Sequence, residues 1–365
     1  MALHHILAIN PGSTSTKIAV YVNTKVIFLK SIPHETKDLN KFKRTSDQFQ
    51  YRKDIILQEL QNAHIETEKI QAIVGRGGLI KPIKSGIYKL NKALLNDLSE
   101  GVLGDHASNL GGLIAHDIAL TLPNATAYIA DPVVVDELQS VARITGHPEF
   151  TRLSIFHALN QKATARSYAR LLNKKYDDLN LIIAHMGGGI TIGAHKNGRV
   201  IDVNQGLDGE GPFSPERSGT LPVGSLARFC FREDTNYEEV KKMITGEGGY
   251  MAYFGTNNAY QIELMADDGD EKATLIQNAL SYQVGKEIGA MASVLEGEVD
   301  AIILTGGIAN NPMVCEYIKK MVSFIAPVVI YPGEDEMHAL AMNGLMVLKG
   351  QVEPKDYDES NMVRD

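Results

Sequence analysis

Cysteine is scarce in this chain: Cys230 and Cys315 are the only two among 365 residues. That excludes a disulfide framework and any Cys-based metal-ligand spacing, and both are expected to be inert core thiols. Basic charge is not in excess either. Lys and Arg number 36 against 44 Asp and Glu, a formal net charge of -8. This argues against a nucleic-acid partner, because phosphate backbones recruit broad basic faces. It leaves room for a nucleotide, which needs only a few local donors. No apolar run is long enough to span a bilayer, and the N-terminus lacks the succession of charged region, apolar run and cleavage site of a secretory signal. No membrane association and a cytoplasmic location are expected. The hydrophobic content of 44% is ordinary for a globular protein with a full core, and the length suggests two domains.

Along the chain, His5 to Ile9 is an apolar run that ends in a turn rich in Gly, Ser and Thr. Ile18, Val20 and Val22 then alternate at strand spacing, and Val26 to Leu29 returns after the turn at Asn23-Thr24. A similar arrangement recurs at Leu181 to Ala184, the glycine turn after His185, and Ile190 to Ala194. The hairpin turn Lys196-Asn197-Gly198-Arg199 leads on to Val200 to Val203. Two such modules suggest a duplicated domain. Asn160 to Leu172 and the stretch from Ile276 to Leu295 carry helical periodicity, and Asp300 to Leu304 is a strand. The mixture is α/β. From Gln351 the tail is polar and acidic and is expected to be flexible.

Three glycine-bearing turns are candidates for phosphate contact. In Asn10-Pro11-Gly12-Ser13-Thr14-Ser15-Thr16-Lys17, small residues let backbone N–H groups approach an anion. The hydroxyls of Ser13 and Thr14 and the charge of Lys17 add donors. A plain polar hairpin turn accounts for this stretch equally well when it is taken alone. It is not a Walker loop, since the Gly-Lys-Ser order is missing and a strand follows. Gly187, Gly188 and Gly189, with Gly193 beyond, fail as a dinucleotide fingerprint for the same reason: no helix follows. His185 flanks that turn as a possible donor. The third turn, at Gly306, Gly307 and Ile308, follows a strand and precedes a helix expected from about Pro312 to Met321, a setting that suits nucleotide phosphates.

Arg76 among glycines, Arg217 in a Pro/Gly-rich loop, Asp131 at the end of an apolar run and His157 at a strand end complete the set. Each is compatible with a structural ion pair or hydrogen bond. Together they suit phosphoryl transfer, which requires charge neutralisation and in-line positioning. A hydroxyl acceptor needs a general base such as Asp131, whereas a carboxylate is already ionised at neutral pH. Two arginines and a histidine therefore favour a carboxylate acceptor, with Asp131 left open as a base.

These segments resemble the acetokinase family, the acetate and butyrate kinases within the actin-like and sugar-kinase superfamily. The resemblance runs from about Ile6 to Leu348 and is closest to the butyrate and branched-chain fatty acid kinases. The motifs that carry it are Ala8–Lys17, Ser154–Lys162, Ala184–Gly189, Glu216–Pro222 and Leu304–Ile308. It implies two duplicated ribonuclease-H-like domains with an active-site cleft between them. The N-terminal domain would span residues 1–155, completed by about 331–350, and the nucleotide-binding domain 156–330, leaving 351–365 as a tail. It also implies ATP/ADP and Mg²⁺, an acyl phosphate product and a homodimer or larger homo-oligomer.

By position in the motifs, the resemblance assigns Asn10 to the γ-phosphate and Arg76 and Arg217 to the acid and the transferring phosphoryl. His157 would stabilise the transition state and Asp131 would organise the Mg²⁺–phosphate end. His185 and Gly187–Gly189 would face the phosphates, Gly306 and Gly307 the nucleotide, and Asn257 the ribose. Glu336, with Asn10, would serve the metal. Gly78 stands where acetate kinases carry a valine, which implies added room for a longer acyl chain, each buried methylene contributing roughly 0.8 kcal/mol. Val133, Phe156 and Pro215 would wall that room. A hydroxyl-directed kinase on the same fold, or an actin- or chaperone-like ATPase switch, are the rival readings.

Overall fold

Alternating apolar residues and short polar turns draw the first three strands into an antiparallel meander: β1 (His5–Pro11), β2 (Ser15–Val22) and β3 (Lys25–Pro33). In the computed structural model, which describes residues 2–333 and 335–363, these strands belong to the first of two compact units. That unit comprises residues 1–136 with 335–365, and the second comprises 137–334. The expected boundaries at 155 and 331 therefore fall at 136 and 334.

In the first unit β4 (Ile70–Arg76), β5 (Ile87–Lys89) and β6 (Thr126–Ala130) complete a six-stranded sheet of order β3-β2-β1-β4-β6-β5. β1, β4 and β6 run parallel. Ile6 to Ile9 and Ile73-Val74 are wholly buried, because helices cover the sheet. One is Asn109–Leu120, packed on β4 and β6; another is Glu336–Leu348, packed on β1 and β4. The first lies unusually close. A Cβ on Gly75 would sit 2.1 Å from the Gly111 carbonyl oxygen, and one on Gly111 would sit 2.4 Å from that of Arg76. Two facing glycines thus let backbone meet backbone at the end of β4.

The second unit repeats the plan. β7 (Leu181–Met186), β8 (Ile190–Lys196) and β9 (Arg199–Val203) form a meander, and β10 (Ala301–Gly306) and β11 (Val328–Pro332) extend it in parallel, in the order β11-β10-β7-β8-β9. Without β5, the first sheet reads β6-β4-β1-β2-β3, the same pattern. The fold is α/β with two duplicated ribonuclease-H-like units. Asn197 and Gly198, at φ 53° and 72°, make the two-residue turn whose twist matches the flanking strands. The long helix Glu271–Val294 starts five residues before the first apolar position read from the sequence, because Asp270 caps it by accepting from the Ala273 N–H at 2.9 Å.

Two expectations are corrected. The tail is docked on the first unit: Lys355 bridges to Tyr88 and Met362 to Ile83. Tyr357 is 2% exposed and donates to Asp97 at 2.5 Å. A single aromatic anchor with a buried partner outweighs the polar composition around it. Cys230 is exposed and only Cys315 is in the core, since the helix Val223–Cys230 buries none of its residues. Among the described residues no helix is long and apolar enough to cross a membrane.

The glycine contacts are testable. Gly111→Ala forces two backbones apart and is expected to destabilise the protein by about 1–3 kcal/mol. Gly289→Ala, in a helix where nothing lies within 4 Å of the added methyl, is expected to stabilise by about 0.5–1 kcal/mol. Urea unfolding of the two variants measures both.

Candidate active site

The parallel strands of the first unit end on residues with chemistry. Asn10 is the penultimate residue of β1, Arg76 the last of β4, and Asp131 follows β6. Glu336 opens the helix packed on the same strands, at an N-terminus capped by Asp335, which accepts from the His338 N–H. Three of these meet. Asn10 Nδ2 donates to Glu336 Oε2 at 2.5 Å, and Arg76 Nη1 donates to Asn10 Oδ1 at 3.3 Å and to Glu336 Oε2 at 3.1 Å. Asn10 and Glu336 are buried, while the Arg76 side chain keeps 24% of its surface exposed. A buried carboxylate needs this pairing, and a partly open guanidinium retains donors for a further anion.

Asp131 takes a left-handed backbone, φ 37°, uncommon for a non-glycine residue and found where a side chain must be aimed. Its Oδ1 accepts from Ser85 Oγ at 2.6 Å and from the Gly86 N–H at 2.9 Å.

The hairpin beyond Asn10 is built from behind by a residue that no sequence motif singles out. Arg52, 1% exposed, donates to the carbonyls of Gly12 (2.8 Å) and Ser13 (3.2 Å) and to Thr16 Oγ1 (3.1 Å). With its carbonyls drawn to that side, the turn presents Ser13, Thr14 and Lys17 on its exposed side. Gln48 accepts from Arg52 Nε and Nη2, and His34 bonds Thr16 from the other flank at 2.8 Å. Arginine at mid-helix reads as a surface charge; only the packing of Phe49–Asn62 turns it inward.

In the second unit the His157 and His185 rings stack, with centroids 3.9 Å apart and planes 15° apart. His157 Nδ1 lies 2.9 Å from Thr191 Oγ1, and His185 Nδ1 lies 2.9 Å from Asn160 Oδ1. The glycine turn has a structural cause as well. A Cβ on Gly189 would fall 1.9 Å from Arg217 Nη1, so glycine makes space for that guanidinium, which donates to the Gly206 carbonyl. Ser214 Oγ holds the Gly188 carbonyl at 2.6 Å. Gly187 precedes these two in the same turn. Gly306, at φ 91°, lies so close to β7 that a Cβ would come within 2.4 Å of the Met186 carbonyl oxygen.

A recess of about 210 Å³ opens beside that turn, lined by Gly307 and Ile308 with Tyr250, Tyr260, Glu263, Gln277, Asn310 and Asn311 among others. Tyr250, Tyr260, Glu263 and Gln277 gave no sequence signal, since a pocket wall assembled from four helices has no local motif. Asn257 is not among the lining residues; its amide donates to Glu216 at 3.1 Å.

The acyl-pocket reading needs a correction. Gly78 does not open space: a Cβ there would lie 2.0 Å from Asn109 Oδ1, which accepts from the Leu79 N–H. The missing side chain is replaced by Asn109, a helix-packing contact. Val133 is half-buried in the first unit, and Phe156 and Pro215 are buried in the second. For a metal, no group of three His, Cys, Asp or Glu suits an ion among the described residues.

The chain belongs to the acetokinase family. A model described as the acetokinase family matches residues 148–326. Butyrate kinase 2 of Clostridium acetobutylicum is 56% identical over 352 residues, covering 96% of this chain and 99% of that protein. Butyrate kinase 1 of the same organism is 56% identical over 355 residues, 97% and 100% of the two chains. In fold the chain is similar to the crystal structure of Porphyromonas gingivalis acetate kinase, with a TM-score of 0.77 at 20% identity over 94% of this chain and 100% of that one.

Burial, with Arg52 beside it, lowers the His34 imidazole to about 4. An unfolded histidine binds its proton near 6.5, so between about pH 6.5 and 4 the unfolded chain holds the extra proton. His34 thus contributes stability that is full above about pH 6.5 and is lost as pH falls toward 4. His34→Gln is expected to flatten this part of the stability profile by of order 1–2 kcal/mol, read from urea midpoints at pH 7 and 4.5.

Proposed function

We propose that the chain is an ATP-dependent kinase for the carboxylate of a short-chain fatty acid, with butyrate or a similar branched acid as acceptor. The products are the acyl phosphate and ADP, and the reaction is reversible. The observation that carries this reading is the 56% identity, over nearly the whole chain, to two proteins named butyrate kinases.

The geometry supports the same chemistry. An acid with a pKa near 4 arrives ionised, so it must be positioned beside another anion rather than deprotonated. Arg76, fixed by Asn10 and Glu336, offers its remaining donors to the acid, and Arg217 neutralises the transferring phosphoryl. His157 donates to that group in the transition state. Asp131, its Oδ1 held by Ser85 and Gly86, acts as a fixed anion at the nucleotide end. The hairpin at Ser13, Thr14 and Lys17 and the turn from His185 to Gly189 hold the phosphates of ATP, and the recess at Gly307 and Ile308 takes its nucleoside. Val133, Phe156 and Pro215 contact the acyl chain.

Glu336 and Asn10 would be the hard oxygen donors toward a phosphate-borne Mg²⁺, which when bound would supply charge neutralisation. The same reading places the reaction in the cytoplasm and the chain in a homo-oligomer. Val223, Phe231 and Tyr237, 79%, 90% and 72% exposed, supply apolar surface for such a contact.

Trapping the acyl phosphate with hydroxylamine gives kcat/KM across acetate, propionate, butyrate, isobutyrate and isovalerate. Butyrate or a branched acid is expected to rank first; a clear preference for acetate would refute the acceptor. Arg76→Ala is expected to lower kcat/KM about 10²- to 10³-fold with circular dichroism unchanged, and near-native turnover would remove Arg76 from the reacting groups.

A further inference from the structure

Gly193 lies on β8, beyond the phosphate turn, and its missing side chain serves a buried polar chain. A Cβ there would sit 2.5 Å from Gln161 Oε1, so glycine lets the fully buried Gln161 lie along the strand. Gln161 Nε2 donates to the Thr191 carbonyl at 3.0 Å and to Thr191 Oγ1 at 2.9 Å. A carbonyl only accepts, so the amide nitrogen must occupy this end and Oε1 the other. Oε1 faces His195 Nε2 at 2.9 Å. Since an amide oxygen also only accepts, His195 carries its proton on Nε2. Its Nδ1 then accepts from the Tyr176 hydroxyl at 2.7 Å. Complete burial, with Lys162 and Arg166 nearby, holds His195 well below the usual histidine range and keeps it neutral.

The polarity propagates in the other direction as well. Thr191 Oγ1 receives one hydrogen bond from Gln161 and a second, at 3.4 Å, from the His157 backbone N–H. Both lone pairs are engaged, which leaves its proton for His157 Nδ1 at 2.9 Å. We infer that the buried chain Tyr176–His195–Gln161–Thr191 locks His157 in the neutral Nε2–H tautomer, with Thr191 and Gln161 as positioning residues. The ring plane is set separately, by the stack on His185. The consequence for catalysis rests on the reading that His157 meets the transferring phosphoryl. There an Nε2–H donates to an anionic oxygen, whereas the other tautomer would turn a lone pair toward it.

The test is long-range ¹H–¹⁵N correlation NMR on protein labelled at histidine, at neutral pH, with the His157 signals assigned by their loss in His157→Asn. The wild type is expected to show the Nε2–H pattern. Thr191→Val, which keeps the shape and removes the hydroxyl, is expected to populate Nδ1–H, and Thr191→Ser to restore the wild-type pattern. A wild-type ring protonated at Nδ1, alone or together with Nε2, overturns the inference, as does a Thr191→Val pattern identical to the wild type. In turnover with butyrate and ATP, Thr191→Val is expected to lower kcat about 10- to 100-fold with KM little changed, and Thr191→Ser to recover it. If the spectra shift as stated while kcat holds, the tautomer lock stands and the placement of His157 at the phosphoryl group falls.

Discussion

A single buried carboxylate holds the working end of the first unit together. Glu336 comes from the far end of the chain, yet it accepts from Asn10 on β1 and from Arg76 on β4. A charge removed from water at that depth is tolerable only with a cation and hydrogen-bond donors around it. The requirement therefore fixes three distant stretches at once: the N-terminal strand, the glycine-flanked arginine and the start of the last helix. It also explains why this helix belongs to the first unit although the chain reaches it only after completing the second sheet. The same contacts leave Arg76 aimed and partly unspent, the state in which a guanidinium can receive an anion.

Glycine has two distinct duties in the structure, and sequence inspection merges them. Some glycines serve turns by their conformation, as Gly198 does at positive φ, and Gly306 combines a positive φ with a close approach to the Met186 carbonyl. Others exist because a neighbour occupies the place of their side chain. Gly75 and Gly111 admit each other's backbone, Gly78 admits Asn109, Gly189 admits the Arg217 guanidinium and Gly193 admits Gln161. A cluster such as 187–189 is therefore in part a seat for an arginine, and the arginine's placement depends on it. Interiors are packed closely enough that one methyl group at such a place displaces the partner.

Much of the architecture was legible because strand periodicity is local. The meanders of both units, the Asn-Gly hairpin and the long helix follow from apolar alternation and turn chemistry within short windows. The docked tail was not legible, because its anchoring depends on one tyrosine finding Asp97, a partner 260 positions away. Arg52 was equally hidden: the sequence places it on a helix, and only tertiary packing points it at the carbonyls of Gly12 and Ser13.

By itself the sequence determined the class of the protein, through two repeated strand–turn–strand modules and the motif segments that resemble the acetokinase family. Turn and strand preferences act between near neighbours, so they survive in the linear order of residues. The tertiary structure decided what each of these residues touches. It paired Arg76 with Glu336, stacked His157 on His185, gave the space beside Gly78 to Asn109, and joined Thr191, Gln161 and His195 into one chain of fixed polarity. Burial is the reason: once water is excluded, every donor must find an acceptor, and which ones meet depends on the packing of distant segments.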